Sequence, residues 1–498
     1  SGPAGEKGAV QAAYFGKRVA LIEAQPRLGG ACVNTGTLPS KTLRETALYL
    51  SGLDQRGLYG VDYRLDVTVE RFMYRKQRVI QSQLELVAAN LDRHQVELIQ
   101  GRAEVLDPHT VRVQGPGGGV QTVTGDYILV ATGSYPFRPG SIPFDDRTVY
   151  DSDTVLALDK IPGSMTIVGA GVIGCEYACI FAALGVEVKL VDGRDRILPF
   201  IDSEIGECLT RQMKRLGIQF VLPEEMDTVE IVNGRVRTTF KSGKAIETEK
   251  FLFAAGRSGN TRGLGLEKLG VEVNKRGQIT VNEQYQTAVP NIYAAGDVIG
   301  FPSLASTSME QGRIAACHAF DLRYKTALDS ILPYGLYTIP EVSMAGATED
   351  ELKSKGVSYE TGRAYYRYNS RGQITGDLEG MIKLLVDPAQ DGKLLGVHLI
   401  GENATELVHI GQTVMHHDGT IDTFIRMVFN YPTLSEIYKY AAYDALGRIA
   451  RSRNHAEVVE VQSLSGEPAE SNGQQASDGA AGAAAPAKKK PGKQPQPA

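Results

Sequence analysis

Twice in this chain a glycine-spaced turn opens a helix pattern and an acid follows at the same distance. Gly2-Pro3-Ala4-Gly5 begins an Ala/Gly-rich stretch that leads into the apolar run Arg18-Val19-Ala20-Leu21-Ile22 and ends in Glu23. Thr166-Ile167-Val168 runs into Gly169-Ala170-Gly171-Val172-Ile173-Gly174, a second helix pattern, the run Val186 to Val191 and then Asp192. Glu23 stands 18 residues after Gly5, and Asp192 stands 18 after Gly174. Each unit is a glycine turn, a helix and a strand that must pack into a parallel sheet, so the pattern predicts an α/β fold with two Rossmann-like domains.

The glycines let backbone amides approach a pyrophosphate at a helix N-terminus, where free N–H groups and the helix dipole favour negative charge. The acid accepts hydrogen bonds from a ribose. One such motif is weak, because turns collect glycine for many reasons, but two at equal spacing predict two dinucleotides. Gly2, Gly5 and Glu23 are assigned to a flavin dinucleotide, and Gly169, Gly171, Gly174 and Asp192 to a nicotinamide dinucleotide. The opening strand of such a motif would precede Ser1: either the sequence is a piece of a longer chain or, if the protein begins at Ser1, that strand is missing and flavin retention would be weakened.

Three further strand patterns end in glycine. Tyr127 to Val130 leads to Ala131-Thr132-Gly133, Phe251 to Phe253 leads to Gly256-Arg257, and Asn291 to Ala295 leads to Gly296-Asp297. Thr132, Gly133, Gly256, Arg257, Gly296 and Asp297 are candidate cofactor contacts. Asp297 suits either a sugar or ribityl hydroxyl, or a helix N-cap. Alternation with helices from 332 predicts an α+β domain. The expected organisation is a first flavin segment over 1–149, a nicotinamide-binding domain over 150–275, a second flavin segment over 276–331, a C-terminal α+β domain over 332–450 and a disordered tail over 451–498.

Composition narrows the partners. A net charge of -5 supplies no basic surface for nucleic acid. No apolar run approaches the roughly 20 residues that span a bilayer, so no membrane is expected. Five cysteines, without regular spacing, predict neither a secreted disulfide framework nor a metal site, and fit a reducing cytoplasm.

Together the motifs resemble the flavoprotein disulfide reductases, the family of dihydrolipoamide dehydrogenase and glutathione reductase, over nearly all of residues 1–450. That family carries Cys-x4-Cys before a Pro-Ser-Lys run, and a His-Pro with a later Glu. Here the first run is Gly29-Gly30-Ala31-Cys32, with Thr37 at the second sulfur position and Pro39-Ser40-Lys41 after it. The second run is Phe429-Asn430-Tyr431-Pro432, with Glu436 following. Thiol–disulfide exchange needs a thiolate and a disulfide within reach, and a base near neutral pH to manage the thiol proton. Thr37 and Tyr431 remove both.

One subgroup of the family has this pattern and exchanges hydride reversibly and Si-specifically between NADPH and NAD+. The resemblance therefore implies FAD as cofactor, NAD(H) and NADP(H) as substrates, ping-pong turnover and a homodimer or higher homo-oligomer formed through the C-terminal domain. It places Gly30, Cys32 and Thr37 beside the flavin, and Lys41 paired with Glu176 near flavin N5 as the catalytic pair. Arg194 and Arg196, beside Asp192, are candidates to clamp a 2′-phosphate; an exposed charged turn is nearly as good a reading of them. Three rival functions stand: a single-cysteine NADH or peroxide oxidase working through Cys32, a diaphorase or quinone reductase, and a non-catalytic nucleotide-sensing protein.

Overall fold

A computed structural model describes residues 1–53, 58, 60 and 67–465, with side chains through 453. Two parallel strand pairs form the first nucleotide-binding region. Ala20–Glu23 pairs with Glu97–Gln100, and Ile128–Val130 pairs with Ile292–Ala294, the two pairs being separate sheets. The helix Pro3–Tyr14, with Gly2 at its N-cap and Pro3 at its first position, packs on the helix Ala305–Ala319. That approach is close: a Cβ at Gly312 would collide with the Ala4 carbonyl oxygen.

The second region is a five-stranded, all-parallel sheet in the order Gln219–Val221, Glu187–Val191, Ser164–Val168, Lys250–Phe253, Val149–Asp151. Its central strand, Ser164–Val168, is buried at every residue, as a strand covered on both faces must be. The chain then turns at Gly169, whose φ of 107° and contact with the Ala254 backbone exclude a side chain, and enters the helix Val172–Ala183. Cys175 and Cys179 sit one turn apart on that helix, both fully buried. The short antiparallel pair Ser134–Pro136 with Arg257–Gly259 joins this region to the first.

The third region is an antiparallel five-stranded sheet in the order Tyr334–Leu336, Val342–Gly346, Lys393–Ile400, Met381–Asp387, Glu360–Tyr365. The helix Ala404–His416 covers it, and the core gathers Leu384, Val397, Leu399, Phe424 and Tyr438. The architecture is thus α/β with an α+β C-terminal part.

Residues Ser1–Ile449 make up one compact unit. The tail expected to be without order from 451 carries helix to Ser465, as part of Ile437–Ser465. Ala450 to Ser465 contains neither glycine nor proline and is rich in Ala, Arg, Glu and Val, and Gly466 is the next breaker. The rest of the expected disordered tail, with its three lysines, lies outside the described residues. Among the described residues no helix is long and apolar enough to cross a membrane, and no cluster of His, Cys, Asp and Glu could hold a metal ion.

Candidate active site

A cavity of about 2290 Å³ runs through the first region and ends against the second. Gly2, Gly5, Glu23, Gly30, Cys32, Thr37, Lys41, Thr132, Gly133, Gly256, Arg257, Gly296 and Asp297 all line it, together with Glu176. Gly2 and Gly30 meet back to back at one end, where a Cβ on Gly30 would lie 2.7 Å from the Gly2 Cα. Residues spread over nearly 300 positions therefore converge on one site, as the strand-ending glycine turns suggested.

Lys41 and Glu176 are brought together from different regions. The helix Thr37–Ser51 presents Lys41, and the helix Val172–Ala183 presents Glu176. The Lys41 ammonium donates to both carboxylate oxygens, at 2.9 and 2.7 Å. Glu176 Oε1 also accepts from the Tyr337 amide at 3.0 Å, and the Tyr337 ring lies 5.0 Å beneath the Lys41 Nζ. A carboxylate with only 5% of its side chain exposed needs such partners, because an unpaired buried charge is costly. Tyr337 comes from the third region and had no role assigned from sequence. The only signal for it was its place in the run Tyr337-Thr338-Ile339-Pro340-Glu341.

Cys32 stands at the same wall without a second sulfur. Burial pushes its thiol up, against the opposing pull of the Thr37 hydroxyl and the Lys41 charge. All five cysteines are free. Tyr431, in the place of an imidazole, is exposed and shares a 2.6 Å hydrogen bond with Ser370.

Asp297 is the first residue of a short 3-10 turn whose N-cap is Gly296. Its carboxylate accepts from the Ser134 hydroxyl at 2.8 Å, at the cavity wall. Ser134 in turn accepts from Arg257 Nε at 2.8 Å, and Arg257 pairs with Asp153 at 3.3 Å. Burial holds the Asp153 carboxyl above the ordinary range despite the arginine. Ser134 and Asp153 also escaped the sequence reading, since single polar residues after a strand carry no pattern.

Glu23 accepts from the Ser1 hydroxyl at 2.6 Å, at the cavity wall.

The second glycine loop contributes Val172 and Ile173 to the cavity, whereas Gly169, Gly171, Gly174, Asp192, Arg194 and Arg196 lie outside it. Asp192 Oδ2 accepts from the Ala170 amide at 2.7 Å, which ties the acid to the loop. Arg194 grips the same carboxylate through Nε and Nη2, at 2.8 and 2.7 Å. Arg196 does not join them. It donates to the Pro199 carbonyl and pairs with Asp350.

Two nucleotide-binding regions, a cavity between glycine turns and a C-terminal sheet domain define a flavin-dependent oxidoreductase. The chain belongs to the pyridine nucleotide-disulphide oxidoreductase family, whose model matches residues 1–312, and the dimerisation domain of that family matches 332–442. It is an FAD protein and a homodimer. A relative from Mycobacterium tuberculosis (strain ATCC 25177 / H37Ra), named soluble pyridine nucleotide transhydrogenase, is 49% identical over 90% of this chain and 96% of its own. A relative of the same name from Pseudomonas putida (strain W619) is 42% identical over 90% of this chain and 97% of its own. Among solved structures, LpdA from Mycobacterium tuberculosis superposes with a TM-score of 0.83 at 26% identity, covering 89% of this chain and 97% of that one. The HOCl-induced flavoprotein disulfide reductase RclA from Escherichia coli superposes at 0.79 with 28% identity, covering 88% and 96%.

The residues present fit FAD. The N-terminus of Pro3–Tyr14 carries no side-chain cap, so its first amides remain for an anion, and the glycine cradle leaves room for one.

Proposed function

We propose that the protein exchanges hydride between NADPH and NAD+ at one site, in a reversible, Si-specific, ping-pong cycle. The observation that carries this reading is the wall beside Lys41: one cysteine, bonded to a threonine where exchange chemistry needs a second sulfur. The curated relatives bear the name soluble pyridine nucleotide transhydrogenase over nearly their whole length, which supports it.

When bound in this cavity, FAD would supply the hydride chemistry that links the two nicotinamides. Lys41 places a fixed positive charge at the cavity wall, favouring the negative charge that hydride brings. Glu176 sets the direction of that charge, and the Tyr337 amide and ring hold both partners in place. Asp297, backed by Ser134 and Arg257, orients a hydroxyl-bearing chain along the cavity. Val172 and Ile173 form an apolar face at the second glycine loop, against which a flat ring can lie. Cys32, half-buried and with its thiol pushed up by burial, is assigned no part in electron transfer. Five free cysteines suit the cytoplasm, where we place the protein.

Initial rates with NADPH and thio-NAD+ varied together test the reading. Parallel double-reciprocal lines are expected. Intersecting lines, or no thio-NAD+ reduction at all, would overturn it.

A further inference from the structure

A segment of the third region, Tyr337-Thr338-Ile339-Pro340-Glu341, lies against both helices that carry the Lys41–Glu176 pair, and no nucleotide motif includes it. It follows the strand Tyr334–Leu336. The Tyr337 amide donates to Glu176 Oε1 at 3.0 Å, and one residue on the Thr338 carbonyl accepts from Arg44 Nε at 2.9 Å. Arg44 stands three residues after Lys41 on the helix Thr37–Ser51, so the two side chains leave the same face. Successive backbone groups thus fix the segment to one helix from each nucleotide-binding region.

Its far end is tied as firmly. Glu341 pairs with the buried Arg44 at 3.4 Å through Oε1. Its Oε2 accepts from the Thr405 amide and hydroxyl, at 3.2 and 2.8 Å. Thr405 also hydrogen-bonds the Tyr337 hydroxyl. The phenol is therefore held at both ends, at its backbone by Glu176 and at its hydroxyl by Thr405, with the Lys41 Nζ 5.0 Å from the ring centre.

We propose that Tyr337 is a positioning residue for hydride transfer, through which the third region sets how much of the Lys41 charge faces the flavin. The inference rests on the proposed role of Lys41 as the charge that hydride meets. Glu176 alone would draw the ammonium onto itself and cancel it. The Tyr337 amide takes a share of the Glu176 charge, and the negative face of the ring holds the ammonium from a second side. An aliphatic side chain at 337 keeps the amide and loses the ring, so the two contributions separate by experiment. Arg44 and Glu341 hold the segment in place, since removing either leaves the other as an unpaired buried charge.

Tyr337, Glu341 and Thr405 all fall within 332–442, the stretch matched by the dimerisation domain. Chemistry at the flavin thereby depends on the region that joins the subunits.

Anaerobic single-turnover bleaching of the FAD-loaded protein by NADPH tests this, with rates taken per bound flavin. Y337L is expected to lower the limiting rate roughly tenfold, the scale of one desolvated cation–π contact, with half-saturating NADPH within about twofold of the parent. Y337F, which keeps the ring, is expected to recover most of that loss, and T405V, which frees the hydroxyl, to give a smaller loss of limiting rate. The flavin midpoint potential is expected to fall in Y337L, because less positive charge meets the reduced ring. If Y337L does not fold, Y337M, whose unbranched chain fills more of the space of the ring, takes its place with the same expectations. A limiting rate and potential equal to the parent's in the aliphatic variant, a loss confined to half-saturating NADPH, or a Y337F protein as slow as the aliphatic one would overturn the proposal. A set of variants that shifts as expected in a protein unable to reduce thio-NAD+ would keep the positioning role and lose the exchange reading.

Discussion

Lys41 and Glu176 meet across 135 residues of sequence, with the ammonium bonded to both carboxylate oxygens. The bond ties the first nucleotide-binding region to the second at the wall where the cavity narrows against Val172 and Ile173.

Removing that charge should slow hydride transfer without emptying the cavity. Lys41→Met is expected to lower the limiting rate of flavin bleaching by NADPH about 10²-fold, the usual scale for losing one preorganised electrostatic partner. Glu176→Gln should act in the same direction and less strongly, because the lysine keeps its charge and still lies over the Tyr337 ring. Single-turnover absorbance of the bound flavin checks both.

Cys32→Ser should leave NADPH to thio-NAD+ exchange within about twofold of the parent rate, since hydride exchange needs no thiolate and no second sulfur stands beside Cys32. Steady-state assays check it. A collapse of activity would favour the oxidase reading instead.

The third region carries a buried ion cluster with a clear stability signature. Lys383 and Asp202 are both fully buried, and Lys383 donates to each Asp202 oxygen at 2.9 Å and also to Glu349. Asp202 caps the helix Ser203–Arg215, so one lysine on the C-terminal sheet fixes a helix end of the second region. Lys383→Met strands these carboxylates and should cost about 3–5 kcal/mol. Thermal unfolding measures it.

The same cluster predicts acid sensitivity. Burial holds the His398 imidazole below its ordinary 6.5, so the unfolded chain binds that proton first and stability falls as pH drops below 6.5. Burial opposes ionisation of Glu349, yet its bonds to Lys383, Lys353 and Tyr359 bring the carboxyl down from 4.5 to about 2. Its contribution is full above 4.5 and is lost as pH falls toward 2. Melting temperature against pH should decline in these two windows, and His398→Gln should remove the upper one.

Much of this was legible in the sequence because glycine turns and matched acids are local patterns. The two loops, the α/β class and the Lys41 and Glu176 positions follow from short runs. What escaped depends on contacts between distant segments: Tyr337 reaches Glu176 from 161 residues away, and Ser134 matters only because Asp297 lies opposite. Arg194 and Arg196 look alike in sequence, and only the Pro199 carbonyl and Asp350 separate their roles. The helix through Ser465 was missed because composition was read over the whole tail, whose Gly and Pro begin at Gly466.

The most direct test is anaerobic double-mixing of the FAD-loaded protein. NADPH should bleach the flavin, and thio-NAD+ added next should restore its colour at a rate matching steady turnover. Recovery far faster with lipoamide, a quinone or peroxide than with any nicotinamide would contradict the account.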